Sequence, residues 1–183
     1  MLKSSENPPM LYPEFGLVLV EESKWWVAHV KSRNEKAFAW NLHQWEIPYF
    51  LPLIEKVTQK KGRKFRSQLP LFTGYMFFHA NEDQRSQALC SNRIANLIEV
   101  IDQQRFIEEL KAVHLAISSG FSVETHSGLA VGKRCRVVAG PLIGQEGVVV
   151  RQKGITRIFL QIDILGQSAA VEIDADMLEP AEE

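Results

Sequence analysis

"GPLIGQEGVVV", running from Gly140 to Val150, places three glycines and one proline directly before three valines. Glycine and proline punctuate turns, whereas β-branched valine favours a pleated strand. A helix through these residues would lose roughly 1 kcal/mol per glycine and 3 kcal/mol for the proline. The stretch therefore reads as a tight turn entering a strand. Around it lie "RCRVVAG", "TRIFLQIDIL" and "AAVEID", so four short β-rich runs follow one another, closed by "MLEP". Short strands at short spacing predict a small all-β barrel over residues 129–183. A domain of about 55 residues is only marginally stabilised by core burial.

Upstream the pattern changes. "KWWVAHVK" from Lys24 reads as a strand, and "SRNEKAFAWNLHQWE" as a helix. Ser32 with Glu35 matches a capping box, and Phe38, Leu42 and Trp45 share one helical face. "YFLPLIEKVTQ" and "KFRSQLPLF" flank a turn at Gly62, and "GYMFFHA" and "NLIEVID" are further strands. "EDQRSQALCSN" is a short polar helix. "QQRFIEELKAVHLAIS" is a longer one with Phe106, Leu110, Val113 and Ile117 on one face. This order predicts an α+β fold, an antiparallel sheet with helices packed on it, over residues 24–118. Residues 119–128, "SGFSVETHSG" after Ser118, are polar without period and read as a linker. Residues 1–23 read as an extension in which "FGLVLV" (Phe15 to Val20) is a short strand or apolar contact for a loose arm.

Among 183 residues, 21 are basic and 22 acidic, for a net charge of −1, so only local clustering of charge can point to nucleic acid. Cys90 and Cys135 are the only cysteines, too few for a disulfide framework, and a reducing, cytoplasmic setting fits. The sequence shows no apolar run of membrane-spanning length and no signal peptide. The histidines at 29, 43, 79, 114 and 126 form no ligand motif, and "GPLIGQEG" lacks the Lys-Ser/Thr of a phosphate loop. No catalytic residue, metal or cofactor is expected.

Two clusters point to binding instead. Lys56, Lys60, Lys61, Arg63, Lys64 and Arg66 surround one turn with no acidic residue between Lys56 and Arg66. A cationic hairpin suits phosphate contacts, although a solubilising tip has the same composition. Lys31 and Arg33 could extend the patch. Adjacent Trp25 and Trp26 must point to opposite faces of their strand, so one enters the core while the other is expected on the open face. Phe72, Tyr75, Phe77 and Phe78 crowd around Gly74. An apolar patch of this kind marks a protein interface, unless helices cover it or it stacks on RNA.

Three stretches resemble the NusG family of transcription elongation factors. "WWVAHVKSRNEKAFAWNL" is similar to the opening strand and helix of its N-terminal domain, and "LPLFTGYMFF" to its aromatic, Gly-Tyr and strand segment. "VGKRCRVVAGPLIGQEGVVV" with "IDILGQSAAVEIDADMLEP" resembles the KOW motif and its continuation. The resemblance implies a factor that binds bacterial RNA polymerase at the clamp helices of the largest subunit, bridges the DNA cleft and suppresses pausing. By position it implies a polymerase-binding patch of Trp26, Leu71, Phe72 and Tyr75, and a second polymerase contact at Ser86 and Gln87. Lys31, Arg33, Lys64 and Arg66 would meet non-template or upstream DNA. Ile164 and Leu165 would meet a small-subunit ribosomal protein or Rho. The short segment before the basic hairpin looks like the specialised, RfaH-like paralogues, but the Gly140–Val150 turn chemistry predicts a β rather than helical C-terminal domain. A monomer is expected. A ribosome-associated or RNA-binding KOW protein is the alternative.

Overall fold

The structure is a computed structural model, which describes residues 7–14, 16–60, 62–127, 132–152 and 155–181. The expectations at Phe15, Lys61 and residues 128–131 fall outside these. Two compact units divide the chain, Met1–Gln104 and Arg105–Glu183.

In the first unit the strands are β1 (Leu11–Tyr12), β2 (Lys24–Val30), β3 (Tyr49–Phe50), β4 (Leu53–Lys60), β5 (Arg63–Pro70), β6 (Tyr75–Ala80) and β7 (Ile94–Glu99). Helix α1 (Glu35–Gln44) follows β2, and α2 (Glu82–Cys90) follows β6. Five strands form an antiparallel sheet in the order β1-β3-β6-β2-β7, while β4 and β5 pair only with each other. Trp26 lies opposite Phe78 and Val27 opposite Phe77. Strand alternation then puts Trp26, Ala28, Met76 and Phe78 on one face, in a core shared with Phe38, Ala39 and Leu42 of α1 and Ala88 of α2.

The anticipated capping box is absent. α1 begins at Glu35 behind Asn34, which makes no side-chain cap. Glu35 is buried instead, and its carboxylate accepts the Gly74 N–H at 2.9 Å. α2 carries a complete box between Asn81 and Gln84.

The described residues from Pro9 to Val18 do not form a loose arm. Their strand is Leu11–Tyr12 rather than "FGLVLV", and it extends the sheet beside β3. The Leu51 N–H donates to the Met10 carbonyl at 2.7 Å, the Tyr49 hydroxyl to the Pro9 carbonyl at 3.0 Å, and Trp25 Nε1 to the Val18 carbonyl at 3.0 Å. Burial pushes the Tyr49 phenol well above its ordinary range, with Tyr12 adding to the shift. Leu11 and Leu17 are buried.

The second unit contains nearly all of α3 (Gln103–Ser118), which buries Phe106, Ile107, Leu110 and Val113. Its strands are β8 (Val123–Ser127), β9 (Lys133–Val137), β10 (Glu146–Gln152), β11 (Ile155–Ile162), β12 (Gln167–Glu172) and β13 (Leu178–Pro180), in the antiparallel order β13-β9-β10-β11-β12-β8. The β reading of Gly140–Val150 holds. The expected linker 119–128 is a connector only at its start, because Val123–Ser127 pairs with β12, Val123 opposite Val171. Gly140 and Gly144 turn the chain in left-handed conformations. Gly147 serves a different purpose: a Cβ there would lie 2.7 Å from both the Phe159 carbonyl oxygen and Ile158 Cγ1. Neighbouring β11 can approach only because that atom is missing.

Candidate functional site

The expected aromatic patch is largely interior. Trp26 is 7 % exposed, Leu71 1 % and Phe72 0 %. Trp26 packs in the core under α1 and α2, with the Arg85 guanidinium 5.0 Å from its ring centre. Its Nε1 has no hydrogen-bond partner among the described residues. Trp25, expected on an open face if Trp26 turned inward, is fully buried as well. Phe72 meets Phe77 edge-on at 6.1 Å. These residues form no exposed apolar surface. The correction has a physical reason: each of these rings already has a core partner within the unit, so alternation divides them between two covered faces.

Tyr75 is the member of the set that stays accessible. It is half-buried and stacks on the exposed His29 at 4.9 Å, the two residues facing each other across β2 and β6. The turn beneath them is fixed by three hydrogen bonds, two between backbone groups and one to a side chain. The Gly74 N–H reaches Glu35, the Gly74 carbonyl accepts from Val30 at 2.8 Å, and Tyr75 N–H donates to the Phe72 carbonyl at 3.0 Å. His29 was missed in the sequence because its pairing with Tyr75 needs the β2–β6 register.

The cationic residues are on the surface. Lys31 donates to Asn92 Oδ1 at 2.6 Å, and Arg33 is exposed in a left-handed conformation. Lys64 and Arg66 are exposed on β5, Arg66 with Glu55 at 3.6 Å. The hairpin is tied to the first unit at its base. Leu53 sits in the core, the Leu71 N–H donates to the Pro52 carbonyl at 2.8 Å, and Lys36 Nζ donates to the Gln68 carbonyl at 2.6 Å. Partial burial lowers the Lys36 ammonium, against the opposing charge of Glu35. Ser86 and Gln87 are exposed on α2.

In the second unit, Ile164 and Leu165 are half-buried in a 3-10 turn, Asp163–Leu165, closed by left-handed Gly166. Arg105 of α3 forms an ion pair with Asp163 and another with Glu109 at 3.3 Å, and Glu109 Oε2 accepts the Asp163 N–H at 3.3 Å. Burial and the Asp163 charge push the Glu109 carboxyl up to about 7, against the pull of Arg105. A cleft of about 580 Å³ is lined there by Arg105, Glu109, Arg134, Glu146 and Gln161, among others. It carries both signs of charge. Among the described residues no group of three or more His, Cys, Asp or Glu could hold a metal ion, and no helix is long and apolar enough to cross a membrane.

No curated protein matches the chain. A solved structure described as the MjSpt4:Spt5 complex, conformation B, is similar at 13% identity and a TM-score of 0.28, with 87% of this chain and 97% of that chain covered. The family model described as transcription termination factor nusG matches residues 23–114, half of the chain, from the start of β2 into α3. The matched segment contains the Gly74–Tyr75 turn and the cationic hairpin, and the chain belongs to the NusG family of transcription factors.

Proposed function

We propose that the protein is a transcription elongation and antitermination factor that binds bacterial RNA polymerase, bridges its DNA cleft and reduces pausing. The observation carrying this reading is the family match over residues 23–114. In it, Tyr75 and His29 form the outer surface that meets the clamp helices of the largest subunit, Leu71 and Phe72 are buried just before Tyr75 in the chain, and Trp26 holds the sheet from its other face. Ser86 and Gln87 make the second polymerase contact, across the cleft. Lys31, Arg33, Lys64 and Arg66 face the non-template strand or the upstream duplex. Ile164 and Leu165 recruit a small-subunit ribosomal protein or Rho. The short segment before the hairpin favours a specialised paralogue acting as a cytoplasmic monomer at selected operons.

The test is retention of core RNA polymerase on the immobilised protein, with and without nuclease. Retention survives nuclease in this reading, and Tyr75→Ala weakens it by an amount typical of an interface anchor, about 2 kcal/mol. Loss of polymerase upon nuclease treatment would overturn the proposal, as would full retention by Tyr75→Ala.

A further inference from the structure

Residues opposite one another in an antiparallel hairpin share a face, and neighbours along a strand alternate. Pairing of Val57 with Arg66 and of Thr58 with Phe65 therefore divides β4–β5 into two unlike surfaces. One carries Glu55, Val57, Lys64 and Arg66, with the carboxylate of Glu55 set against Arg66. The other carries Lys56, Thr58, Arg63, Phe65 and Ser67, with Ile54 and Leu69 at its base. This second face has no acidic side chain. Phe65, near its centre, is 51 % exposed. Arg63 is two positions away on the same strand, about 7 Å. Lys56 lies diagonally across, on the order of 7–8 Å away.

A large aromatic ring left half in water between two cations suits a polyanion that also offers flat apolar faces. Single-stranded nucleic acid has that chemistry: phosphates for the cations and an unstacked base for the ring. A duplex hides its base faces inside the stack, and an acidic side chain would bring its negative charge against the negative face of the phenyl ring.

We propose that this hairpin face holds single-stranded DNA, one base stacked on Phe65 and the flanking phosphates beside Lys56 and Arg63. The site is distinct from Lys64 and Arg66, which lie on the opposite face. It rests on the reading of the hairpin as an element that faces the DNA of the transcription bubble, and it names what that element grips.

The experiment is fluorescence anisotropy of the full chain with labelled oligo-dT, across a salt series, without polymerase. Phe65→Ala is expected to weaken binding by about tenfold, within the range for loss of one stacked base. Phe65→Leu should lose as much, because it keeps apolar area but no aromatic face, whereas Phe65→Trp should bind at least as well as the parent. Lys56→Gln with Arg63→Gln should reduce the slope of log affinity against log salt by about 1.4, at roughly 0.7 per single-strand phosphate contact. An unaltered melting temperature for each variant shows that the hairpin is still in place. Parent-like binding by Phe65→Leu would overturn the proposal. So would an equal effect of Phe65→Ala on duplex DNA, or tighter binding of oligo-rU than of oligo-dT. Intact oligo-dT binding alongside lost polymerase retention would count against the proposed function alone. Retained polymerase with no binding of oligo-dT would count against this site alone.

Discussion

At the scale of single residues, the Gly74 turn joins fold to surface. Gly74 has a φ of +82° and its N–H is held by Glu35. An added methyl would have room, since the nearest atom, on the His29 ring, is 3.5 Å away. The strain is in the backbone. Gly74→Ala should therefore cost about 1–2 kcal/mol, the penalty of a left-handed conformation for an L-residue. A thermal melt would register this as a loss of a few degrees, and an unchanged melt would contradict it. Trp26→Ala should be far more damaging, about 3–5 kcal/mol, because it empties a core position and removes the ring that the Arg85 guanidinium packs over. Comparing the Trp26→Ala and Tyr75→Ala melts separates support from surface: only the first should fall steeply. The sequence placed Glu35 near a helix start and the two tryptophans on opposite faces, and both readings were sound locally. What it could not show were partners far along the chain. Glu35 bonds a glycine 39 positions later, Trp25 meets the ring of His79, and Trp26 shares its core with α1 and α2.

At the scale of elements, legibility followed solvent exposure. The helices and the buried strands carried their period openly, whereas β8 did not. As an edge strand it pairs on one side only, and Glu124, Thr125 and His126 face solvent, so its composition is that of a connector. The hairpin was legible as a cationic turn, but its division into two faces awaited the register. α3 brings a pH dependence to the second unit. Glu109 titrates near 7 in the folded chain against an ordinary value of 4.5, so between these values the folded state holds more protons than the unfolded one. Stability from this group is complete below about pH 4.5 and is lost as pH rises toward 7. His79 and His114, both pushed down by burial, act in the opposite direction, destabilising the fold as pH falls through the usual histidine range. Melts of the parent and Glu109→Gln at pH 5 and pH 8 isolate the carboxyl. The variant should gain relative stability at the higher pH, and a constant difference between the two chains would refute the assignment.

At the scale of the whole molecule, an α+β region followed by an all-β sheet could be read from composition and spacing, because each part shows a different period, but α3, expected in the first domain, falls almost wholly in the second unit. The arm could not, since two paired residues and several backbone hydrogen bonds leave almost no pattern in a sequence. Yet it completes the sheet. The family match begins at residue 23, after β1, Pro9, Met10, Leu11 and Leu17 have already made their contacts. A chain shortened to start at 23 would leave β3 with unpaired N–H and carbonyl groups along an open edge, and an uncovered apolar rim beside it. Such an edge is a template for another strand. The shortened protein is expected to self-associate with rising concentration in size-exclusion chromatography, whereas the full chain does not, and a concentration-independent monomer would refute this. The segment from Pro9 to Leu17, ahead of the family domain, would then serve as a guard against polymerisation, keeping the edge of the five-stranded sheet from recruiting its own copies.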